Sequence, residues 1–402
     1  MVFVILDLNS NDDFVEDNLR PERILLLNDE SINLTAFLVI DNTIFGIPSG
    51  GVRLAPDITL NEVVRLARAM TLKCAIYNIP SGGAKAGIKG DPYSQNKDLL
   101  ITSFADMISP YIKDDIYYPG TDMGTVYSDL EKIFRVAKVK QWLNENIKLE
   151  RNGHTILDHF TGYGVIFCLD TLYKKLKSFR TSNEIPKVIL EGFGKVGNSE
   201  ALCLKELGYK LLGLSTIKGA IFDEDGLDID ELLKLRIQYG DELVNRYNSR
   251  NLVKVEKEKL YELSSEYSLD FIIPGARPDA INKGNIDKIE AKAVIPAANI
   301  PYANGMIELL EEKGIIAFPD FVSNAGASVV LTMVNNQWTS ERLFLFMKEK
   351  LVKMTHEILN GAHNNRSYVY KYARSKAINE IKNGLLKRKR KIERINKKYI
   401  II

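Results

Sequence analysis

Apolar positions at helical spacing recur in three parts of the chain. Residues 63–74 keep one apolar helix face, and Thr59 and Glu62 ahead of it have the spacing of a capping box. Residues 99–111 repeat the pattern, and a longer helix is predicted from Thr339 onward. The apolar positions of that last helix, which we expect to be core or subunit-contact residues, are Phe344, Met347, Leu351, Met354 and Ile358.

Short apolar runs predict strands between these helices. Residues 35–41 and 43–47 flank Asp41-Asn42, a turn signal, so we expect them to form a hairpin. Further strands are predicted at residues 188–190, 211–215, 269–274, 293–296 and 315–318. The last three runs are mostly apolar throughout, as in parallel strands that are covered on both faces.

Composition places the chain among ordinary globular proteins. A length of 402 residues favours two or more domains, and a net charge of +2 gives no whole-chain argument for a polyanionic partner. The cysteines Cys74, Cys168 and Cys203 are too sparse for a disulfide framework and fit buried thiols in a reducing compartment. The first eight residues lack a basic leader, and no apolar run reaches membrane-spanning length. We expect a cytoplasmic protein without a membrane span or a metal site.

The most specific local motif is a glycine-rich turn. Gly192, Gly194 and Gly197 follow one predicted strand and open a helix that leads to a second strand. Such glycines permit a tight turn, close approach of a pyrophosphate and helix–strand packing, and the helix N-terminus offers amide donors to phosphate. The motif predicts dinucleotide binding, with Lys195 and Val196 in the same turn.

The end of the second strand bears on the choice of cofactor. An acid is expected there to bind the ribose 2′-hydroxyl, but the position holds Thr216, and Lys218 follows. A missing carboxylate removes repulsion against a 2′-phosphate, and a lysine attracts one, so NADP is slightly favoured over NAD. Alternatively, Lys218 points to solvent and both cofactors bind.

Two charged residues in glycine-rich turns are candidates for acid–base chemistry. Residues 80–92 hold four glycines and two lysines, and desolvation of Lys85 there would lower its pKa enough for a base near neutral pH. Asp122 lies between Gly120 and Gly124. The plainer alternatives are a solvated lysine and an aspartate that serves an Asx-turn.

Eight stretches in a fixed order resemble the glutamate/leucine/phenylalanine/valine dehydrogenase family over nearly the whole chain. They are Ser49-Gly-Gly-Val-Arg-Leu-Ala-Pro, Ala69-Met-Thr-Leu-Lys, Pro80-Ser-Gly-Gly-Ala-Lys-Ala-Gly, Gly120-Thr-Asp-Met-Gly-Thr, Thr161-Gly-Tyr-Gly-Val, Gly192-Phe-Gly-Lys-Val-Gly, Ala297-Ala-Asn and Pro319-Asp-Phe-Val-Ser-Asn-Ala-Gly. Each stretch alone is a modest signal, but the ordered set is strong.

The resemblance implies an α/β protein of two domains. Residues 1–165 would form an α/β substrate-binding and catalytic domain, and residues 166–325 a Rossmann-type dinucleotide-binding domain. Residues 326–402 would form C-terminal helices that return to the first domain. The family also implies a homo-oligomer, with a hexamer favoured.

The resemblance further implies reversible NAD(P)-dependent oxidative deamination of an L-amino acid to a 2-oxo acid and ammonia. Lys73 would bind the substrate α-carboxylate, although a lysine near a helix C-terminus also simply favours the helix dipole. Lys85 would activate water, and Asp122 would shuttle a proton to and from the amine. The residues expected at the cofactor are Thr161 and Asn324 on the nicotinamide amide, Asn299 on its ribose, and Ala276.

The substrate side chain is inferred from two departures from the glutamate-specific pattern. Ser49 stands where glutamate-acting members carry a lysine, and Leu331 stands where they carry a serine. A buried γ-carboxylate without these partners would be costly, and Gly120, which stands where many members carry alanine, widens the site. The resemblance also implies that Gly51 lies at the substrate. We therefore favour an apolar branched-chain or aromatic substrate. Glutamate remains the alternative, because the flanking sequence resembles the glutamate branch and Lys89 offers another cation.

Two other functional classes stay open. Phe160 and Tyr163 depart from the family's usual cofactor-site residues, which leaves a catalytically inactive, nucleotide-binding regulatory homologue as an alternative. The C-terminal residues from Lys387 onward are strongly basic, including Arg394, Lys397 and Lys398. We interpret them as a solvated helix face or tail and do not expect nucleic-acid binding.

Overall fold

The computed structural model describes residues 4–5, 19–140, 150–151, 154–177, 185–333 and 338–399. The chain divides into two compact units, one formed by Met1–Leu143 with Ser375–Ile402 and the other by Asn144–Arg374. The division falls earlier than the boundary expected at residue 165, because the helix that contains residue 165 packs against helices of the second unit. Most of the C-terminal helical region also belongs to the second unit.

The first unit is built on a six-stranded mixed sheet in the order β1-β2-β3-β5-β4-β6. The pairs β1–β2, β2–β3 and β3–β5 are antiparallel, while β4 is parallel to both β5 and β6. The strands are β1 (Val4–Ile5), β2 (Arg23–Asp29), β3 (Leu34–Ile40), β4 (Ser49–Ala55), β5 (Ala84–Lys89) and β6 (Tyr118–Thr121). The helices among them are α1 (Leu60–Tyr77), α2 (Lys97–Lys113) and α3 (Tyr127–Val136).

The two faces of this sheet carry different cores. Ala84, Ala86 and Ile88 of β5 lie in one cluster with the apolar residues of α2 and α3. Since successive residues of a strand point to opposite faces, Lys85 and Gly87 face the other side, where α1 packs. The sheet therefore directs Lys85 toward α1 rather than toward solvent.

The hairpin predicted at Asp41-Asn42 is wrong. Strand β3 forms its hairpin with β2 through Glu30–Ile32, and residues 43–47 form no strand. The physical reason is that the Asp41 side chain is buried in an ion pair with Arg68, whereas the aspartate of a hairpin turn would be exposed.

The second unit contains a seven-stranded sheet in the order β12-β11-β10-β9-β13-β14-β15 and a two-stranded one of β7 and β8. The strands are β7 (Glu150–Arg151), β8 (His154–Thr155), β9 (Lys187–Glu191), β10 (Lys210–Thr216), β11 (Gly219–Phe222), β12 (Val253–Val255), β13 (Phe271–Pro274), β14 (Ala293–Val294) and β15 (Ile316–Ala317). Strands β10, β9, β13, β14 and β15 are parallel, as dinucleotide-binding sheets are. All five strands predicted in this region are confirmed.

Further helices complete the chain, and residues 375–399 of the last one belong to the first unit. They are α4 (Ile156–Lys177), α5 (Lys195–Glu206), α6 (Ile229–Tyr239), α7 (Leu243–Arg246), α8 (Leu263–Tyr267), α9 (Met306–Glu312), α10 (Asp320–Ser323), α11 (Gly326–Met333), α12 (Ser340–Asn364) and α13 (Val369–Tyr399). Four of the five apolar positions predicted on α12 are buried, and Met354 is half-buried. In the described part of the chain, no helix combines the length and apolar character that a membrane crossing requires.

A buried ion pair anchors α1 to the turn that leads into β5. The Arg68 guanidinium donates to both carboxylate oxygens of Asp41 at 2.9–3.1 Å, and the Thr71 hydroxyl donates to the same carboxylate. The Asp41 amide donates to the Gly83 carbonyl at 2.9 Å. Gly83 itself has no room for a side chain, because a Cβ would lie 2.2 Å from the Thr71 hydroxyl oxygen.

We expect Arg68→Met to destabilise the first unit by about 3–5 kcal/mol, because it leaves the buried Asp41 carboxylate without its cation. The measurement is urea unfolding followed by hydrogen exchange in peptides of α1 and β5. The matched control is Asp98→Asn, which removes an ion pair with Lys132 from the surface of the same unit and should leave the unfolding midpoint nearly unchanged. Equal effects of the two variants would contradict the anchoring role.

Candidate active site

The register of three neighbouring strands brings the charged candidates of the first unit together. Gly51 of β4 lies opposite Gly120 of β6, and Arg53 of β4 lies opposite Gly87 of β5. Residues two apart on a strand share a face, so Arg53 lies on the same face of the sheet as Lys85. Asp122 follows directly on β6 and reaches this face as well.

Four charged side chains contact one another in the order Lys85, Asp122, Arg53 and Glu62. The Lys85 ammonium lies 2.6 Å from Oδ2 of Asp122, and Nε of Arg53 donates to the same oxygen at 3.1 Å. The other edge of the Arg53 guanidinium donates through Nη1 to Oε1 of Glu62 at 2.6 Å. Lys85 and Arg53 are buried, whereas about 15% of the Asp122 side chain is exposed. The carboxylate is thus held by cations and still open on one side.

The environment shifts both titratable groups of the central pair. Burial lowers the pKa of Lys85, and the Arg53 cation lowers it further, while the Asp122 carboxylate opposes the shift. Burial by itself disfavours the charged form of Asp122, but the Lys85 and Arg53 cations outweigh it and hold the pKa of this carboxyl well below its usual range. A lysine whose ammonium form is disfavoured has the property that a base near neutral pH requires.

A hydroxyl group, not the aspartate carboxylate, organises the turn around Asp122. The Asp122 amide donates to Oγ1 of Thr125 at 2.9 Å, and that hydroxyl donates to the Val52 carbonyl at 2.8 Å. The Thr125 amide closes the turn on the Asp122 carbonyl at 3.0 Å. An Asx turn alone therefore does not account for Asp122, whose carboxylate contacts the two cations as well as the Met123 amide.

Lys73 and the turn before β5 are neighbours. Lys73 is buried in the last turns of α1. This part of α1 packs on residues 82–83, with Sγ of Cys74 at 3.9 Å from the Gly82 carbonyl oxygen. The solvated-lysine alternative is excluded for Lys85, and Lys73 is buried as well.

Ser49 lies at the start of β4, and its side chain contacts a neutral group. Its hydroxyl is 2.8 Å from the Ser81 hydroxyl, which in turn donates to the Ile47 carbonyl. Lys89 is exposed at the far end of β5, about 13 Å along the strand from Lys85 at the rise of an extended chain. Lys89 is therefore badly placed to replace the absent lysine. Leu331 belongs to α11, and its side chain lies outside the described residues.

In the second unit, the predicted glycine motif has the geometry that phosphate binding needs. Gly192 follows β9 with a φ of +93°, which favours glycine, and a Cβ on Gly197 would lie 2.3 Å from the Gly192 carbonyl oxygen. Gly194 caps α5, and no atom lies within 4 Å of the place of its Cβ. Lys195 and Val196 form the first turn of α5, whose amides face this open space. The residues present therefore fit a dinucleotide.

The remaining cofactor candidates gather at the carboxyl ends of the parallel strands. Asn324 donates through Nδ2 to Oδ1 of Asn299 at 3.1 Å, and Gly162, next to Thr161, packs on the first turn of α5. Ala276 follows β13, and its amide donates to the Glu191 carboxylate at 3.2 Å. Glu191 thus joins the ends of β9 and β13, and burial raises its pKa. No signal in the sequence pointed to this residue.

Beyond the end of β10, Lys218 pairs with an acid from a distant part of the chain. The Thr216 hydroxyl donates to the Asp241 carbonyl and accepts from the Lys218 amide. The Lys218 ammonium lies 3.0 Å from the Glu242 carboxylate, and both side chains are about half-exposed. Lys218 is thus partly neutralised by an acid 24 positions later, which no local motif reveals.

Arg53 and Glu62 were also missed as site residues. Arg53 was noted only within a motif, and Glu62 was assigned to a capping box. Thr59 does cap α1 by accepting the Glu62 amide at 3.2 Å, but the Glu62 carboxylate binds Arg53. The available signal was the strand period, which places Arg53 two residues after Gly51 on one face.

Comparisons with known proteins agree with this architecture. The family model described as Glutamate/Leucine/Phenylalanine/Valine dehydrogenase matches residues 153–388, and the model of the family's dimerisation domain matches residues 23–138. The glutamate dehydrogenase of Thermotoga maritima is 29% identical over 90% of this chain and 87% of its own length. The NADP-specific glutamate dehydrogenase of Saccharolobus shibatae is 32% identical over 72% of this chain and 67% of its own length.

Solved structures share the fold at low identity. A hetero-hexameric glutamate dehydrogenase from Thermus thermophilus has a TM-score of 0.76 at 22% identity, covering 93% of this chain and 91% of its own. The L-tryptophan dehydrogenase of Nostoc punctiforme has a TM-score of 0.61 at 22% identity, covering 91% of this chain and 97% of its own. With matches over both units of the chain, this protein belongs to the Glu/Leu/Phe/Val dehydrogenase family.

Proposed function

We propose that the protein is an NAD(P)-dependent L-amino-acid dehydrogenase that interconverts an L-amino acid with its 2-oxo acid and ammonia. The observation that carries the proposal is the buried contact of Lys85 with Asp122 at 2.6 Å, in a chain that also has a dinucleotide-binding turn. A buried lysine–carboxylate pair is costly to desolvate and is typical of a site that moves protons. Family membership supports the same reaction class.

The residues of the first unit divide the proton and charge chemistry among them. Lys73 binds the substrate α-carboxylate. The nicotinamide cofactor, when bound, supplies the acceptor for the hydride from the α-carbon, which leaves an iminium group. Asp122, which starts as a carboxylate, takes up a proton from the substrate ammonium group before the hydride leaves. Lys85 in its neutral form takes a proton from the water that adds to the iminium carbon. Asp122 returns its proton to the amine as the carbon–nitrogen bond breaks, and its carboxylate then accepts the proton of the hydroxyl that becomes the carbonyl. Ammonia and the 2-oxo acid are the products.

The residues of the second unit hold the cofactor. The turn of Gly192 and Gly194 receives the pyrophosphate, and Asn299, Asn324 and Thr161 serve the nicotinamide end. For the 2′-position, the absence of an acid at Thr216 favours NADP, whereas the Glu242 carboxylate beside Lys218 offsets that advantage. Both NADP and NAD are therefore proposed as cofactors, in keeping with NADP-specific and NAD-specific relatives.

An apolar substrate side chain is supported by Ser49, whose hydroxyl contacts the Ser81 hydroxyl rather than a cation. Burying a γ-carboxylate without a cation costs several kcal/mol, roughly what separates useful from negligible binding. The alternative substrate is glutamate, and the names of the relatives favour it. A homo-oligomer, with a hexamer favoured, is supported by the match to the family's dimerisation domain and by the hexameric structural neighbour.

The activity is tested by following reduced nicotinamide absorbance in the presence of ammonia. The assay crosses 2-oxoglutarate, 4-methyl-2-oxopentanoate and phenylpyruvate with NADH and NADPH. We expect turnover of an apolar oxo acid. Turnover of 2-oxoglutarate alone would keep the reaction and refute the apolar preference. No turnover on any oxo acid, with NADH still bound, would refute the reaction and favour a regulatory nucleotide-binding protein.

Lys85→Ala is the matched control for this assay. It should lower turnover by more than about a hundredfold, because it removes the general base, while cofactor binding measured by NADH fluorescence stays within about twofold. A folded Lys85→Ala protein that keeps most of its activity would refute the role given to Lys85.

Ser49→Lys tests the basis of substrate choice. It places an ammonium group at the start of β4, so we expect the ratio of kcat/KM for 2-oxoglutarate to that for an apolar oxo acid to rise at least about tenfold. Ser49→Lys combined with Leu331→Ser should raise it further. Ser49→Met, similar in length but uncharged, is the control, and an equal rise in that variant would contradict the electrostatic explanation.

Two glycine-to-alanine changes on adjacent strands should differ sharply in their effect on kcat. A Cβ on Gly51 would lie 2.6 Å from the Thr121 carbonyl oxygen and 2.7 Å from Cβ of Asp122, whereas one on Gly120 meets nothing closer than 3.9 Å. We expect Gly51→Ala to lower kcat about a hundredfold by displacing Asp122. Gly120→Ala should stay active and lose efficiency on the bulkiest oxo acid only. Similar kinetics of the two variants would contradict this geometry.

A further inference from the structure

Arg53 connects two carboxylates, Asp122 of the proposed catalytic pair and Glu62 in the first turn of α1. Its Nε contacts Oδ2 of Asp122, to which Lys85 is also bound, and its Nη1 contacts Oε1 of Glu62. Arg53 is itself buried, with 6% of its side chain exposed, so neither contact is a loose surface pair. Both cations on Asp122 fall on one oxygen, and no cation of the described residues contacts Oδ1.

We propose that Glu62, acting through Arg53, positions Asp122 and sets the charge balance of the Lys85–Asp122 pair. Arg53 and Glu62 are then positioning residues for the amino-acid dehydrogenase reaction. This inference rests on the proposed function for its catalytic meaning, but its electrostatic content is measurable without turnover.

The geometry fixes Arg53 from both ends. A guanidinium group is planar and donates from a rigid fork, so occupying one edge with Glu62 defines where the other edge meets Asp122. Glu62 is in turn fixed in the first turn of α1, where its amide is capped by Thr59. Asp122 therefore keeps its Oδ2 on the two cations.

Arg53 and Glu62 shift the pKa of Lys85 in opposite directions. The Arg53 cation disfavours the ammonium form of Lys85 and lowers its pKa, whereas the Glu62 carboxylate raises it. Asp122, on the loop after β6, opposes the effect of Arg53. Without Glu62, the positive field of Arg53 would act uncompensated and would favour the neutral form of Lys85 more strongly.

Other charged or titratable groups also border this face of the sheet. The helix α1 contributes Lys73 and the buried Arg68–Asp41 pair as well as Glu62. The Tyr117 hydroxyl, next to β6, donates to the Gly50 carbonyl at 2.8 Å, and burial raises its pKa far above neutrality, so it stays uncharged. None of these groups is altered by the variants below.

The experiment measures the pH dependence of Lys85 in two ways. The first is the rate at which cyanate carbamylates Lys85, followed by peptide mass spectrometry, since only the neutral amine reacts. The second is the acidic limb of the kcat/KM profile for whichever oxo acid is turned over. The variants are Glu62→Gln, Arg53→Gln and the combination of both.

Each measurement gives a midpoint pH, one for the carbamylation rate and one for the acidic limb of kcat/KM. We expect Glu62→Gln to move both midpoints to lower pH and Arg53→Gln to move them to higher pH, each by about half a unit or more. The double variant should return most of the way to the wild-type midpoint, because the opposing charges are removed together. A role confined to packing would lower activity or stability without opposite shifts.

The controls separate charge from folding and from the helix dipole. Glu231→Gln removes an acid from the equivalent position of α6, where Asp228 caps the Glu231 amide, and should leave both midpoints unchanged. Glu62→Asp keeps the charge and should stay within about a quarter of a unit of wild type. If Arg53→Gln does not fold, the two Glu62 variants test the inference by themselves. A midpoint shift in Glu62→Gln that is absent in Glu62→Asp supports it, and equal midpoints in the two variants overturn it.

The outcomes distinguish this inference from the proposed function. Shifts of the same sign in the two single variants, or no shift in folded Glu62→Gln, overturn the inference even if the enzyme turns over an oxo acid. Opposite shifts in carbamylation support it even if no oxo acid is turned over, in which case the proposed function falls and the charge coupling stands.

Discussion

The ion pair between Lys85 and Asp122 is the constraint on which the first unit depends. A buried ammonium or a buried carboxylate alone is costly to desolvate, so each requires the other at hydrogen-bonding distance. Meeting that requirement needs strands β4, β5 and β6 in one register and a glycine at 51 to admit the Thr121 carbonyl and Cβ of Asp122. It also needs a turn in which the Thr125 hydroxyl accepts the Asp122 amide. Much of the local sequence follows from this single contact.

The contact is supported from the α1 side by a second buried pair. Arg68 and Asp41 bind each other below the turn at Gly83, which leads directly into Lys85. One helix therefore supplies both the anchor that fixes the strand and Glu62, which balances the charge of Arg53. This double use explains why α1 buries so many polar side chains on a face that its periodicity predicts to be apolar.

The second unit is organised by more local rules. Gly192, Gly194 and Gly197 belong to one strand–turn–helix segment, and their roles follow from positive φ, an open Cβ position and close backbone approach. The neighbouring residues Asn299 and Asn324 come from separate crossovers, yet they meet because parallel strands end at the same edge of the sheet. Fold class thus determines that these distant residues become neighbours.

The sequence by itself determined the family, the parallel strands of the second unit, the glycine-rich turn and the candidates Lys73, Lys85 and Asp122. These signals are periodicities and spacings within single segments, which a chain carries whatever its partners are. Only the tertiary structure decided that Asp41 is buried rather than part of a hairpin turn, that Glu62 binds Arg53 rather than only capping its helix, and that Glu242 accompanies Lys218. Each of these pairings joins different elements of the fold, so the partner of a charge was set by strand register and helix packing, which local sequence does not encode.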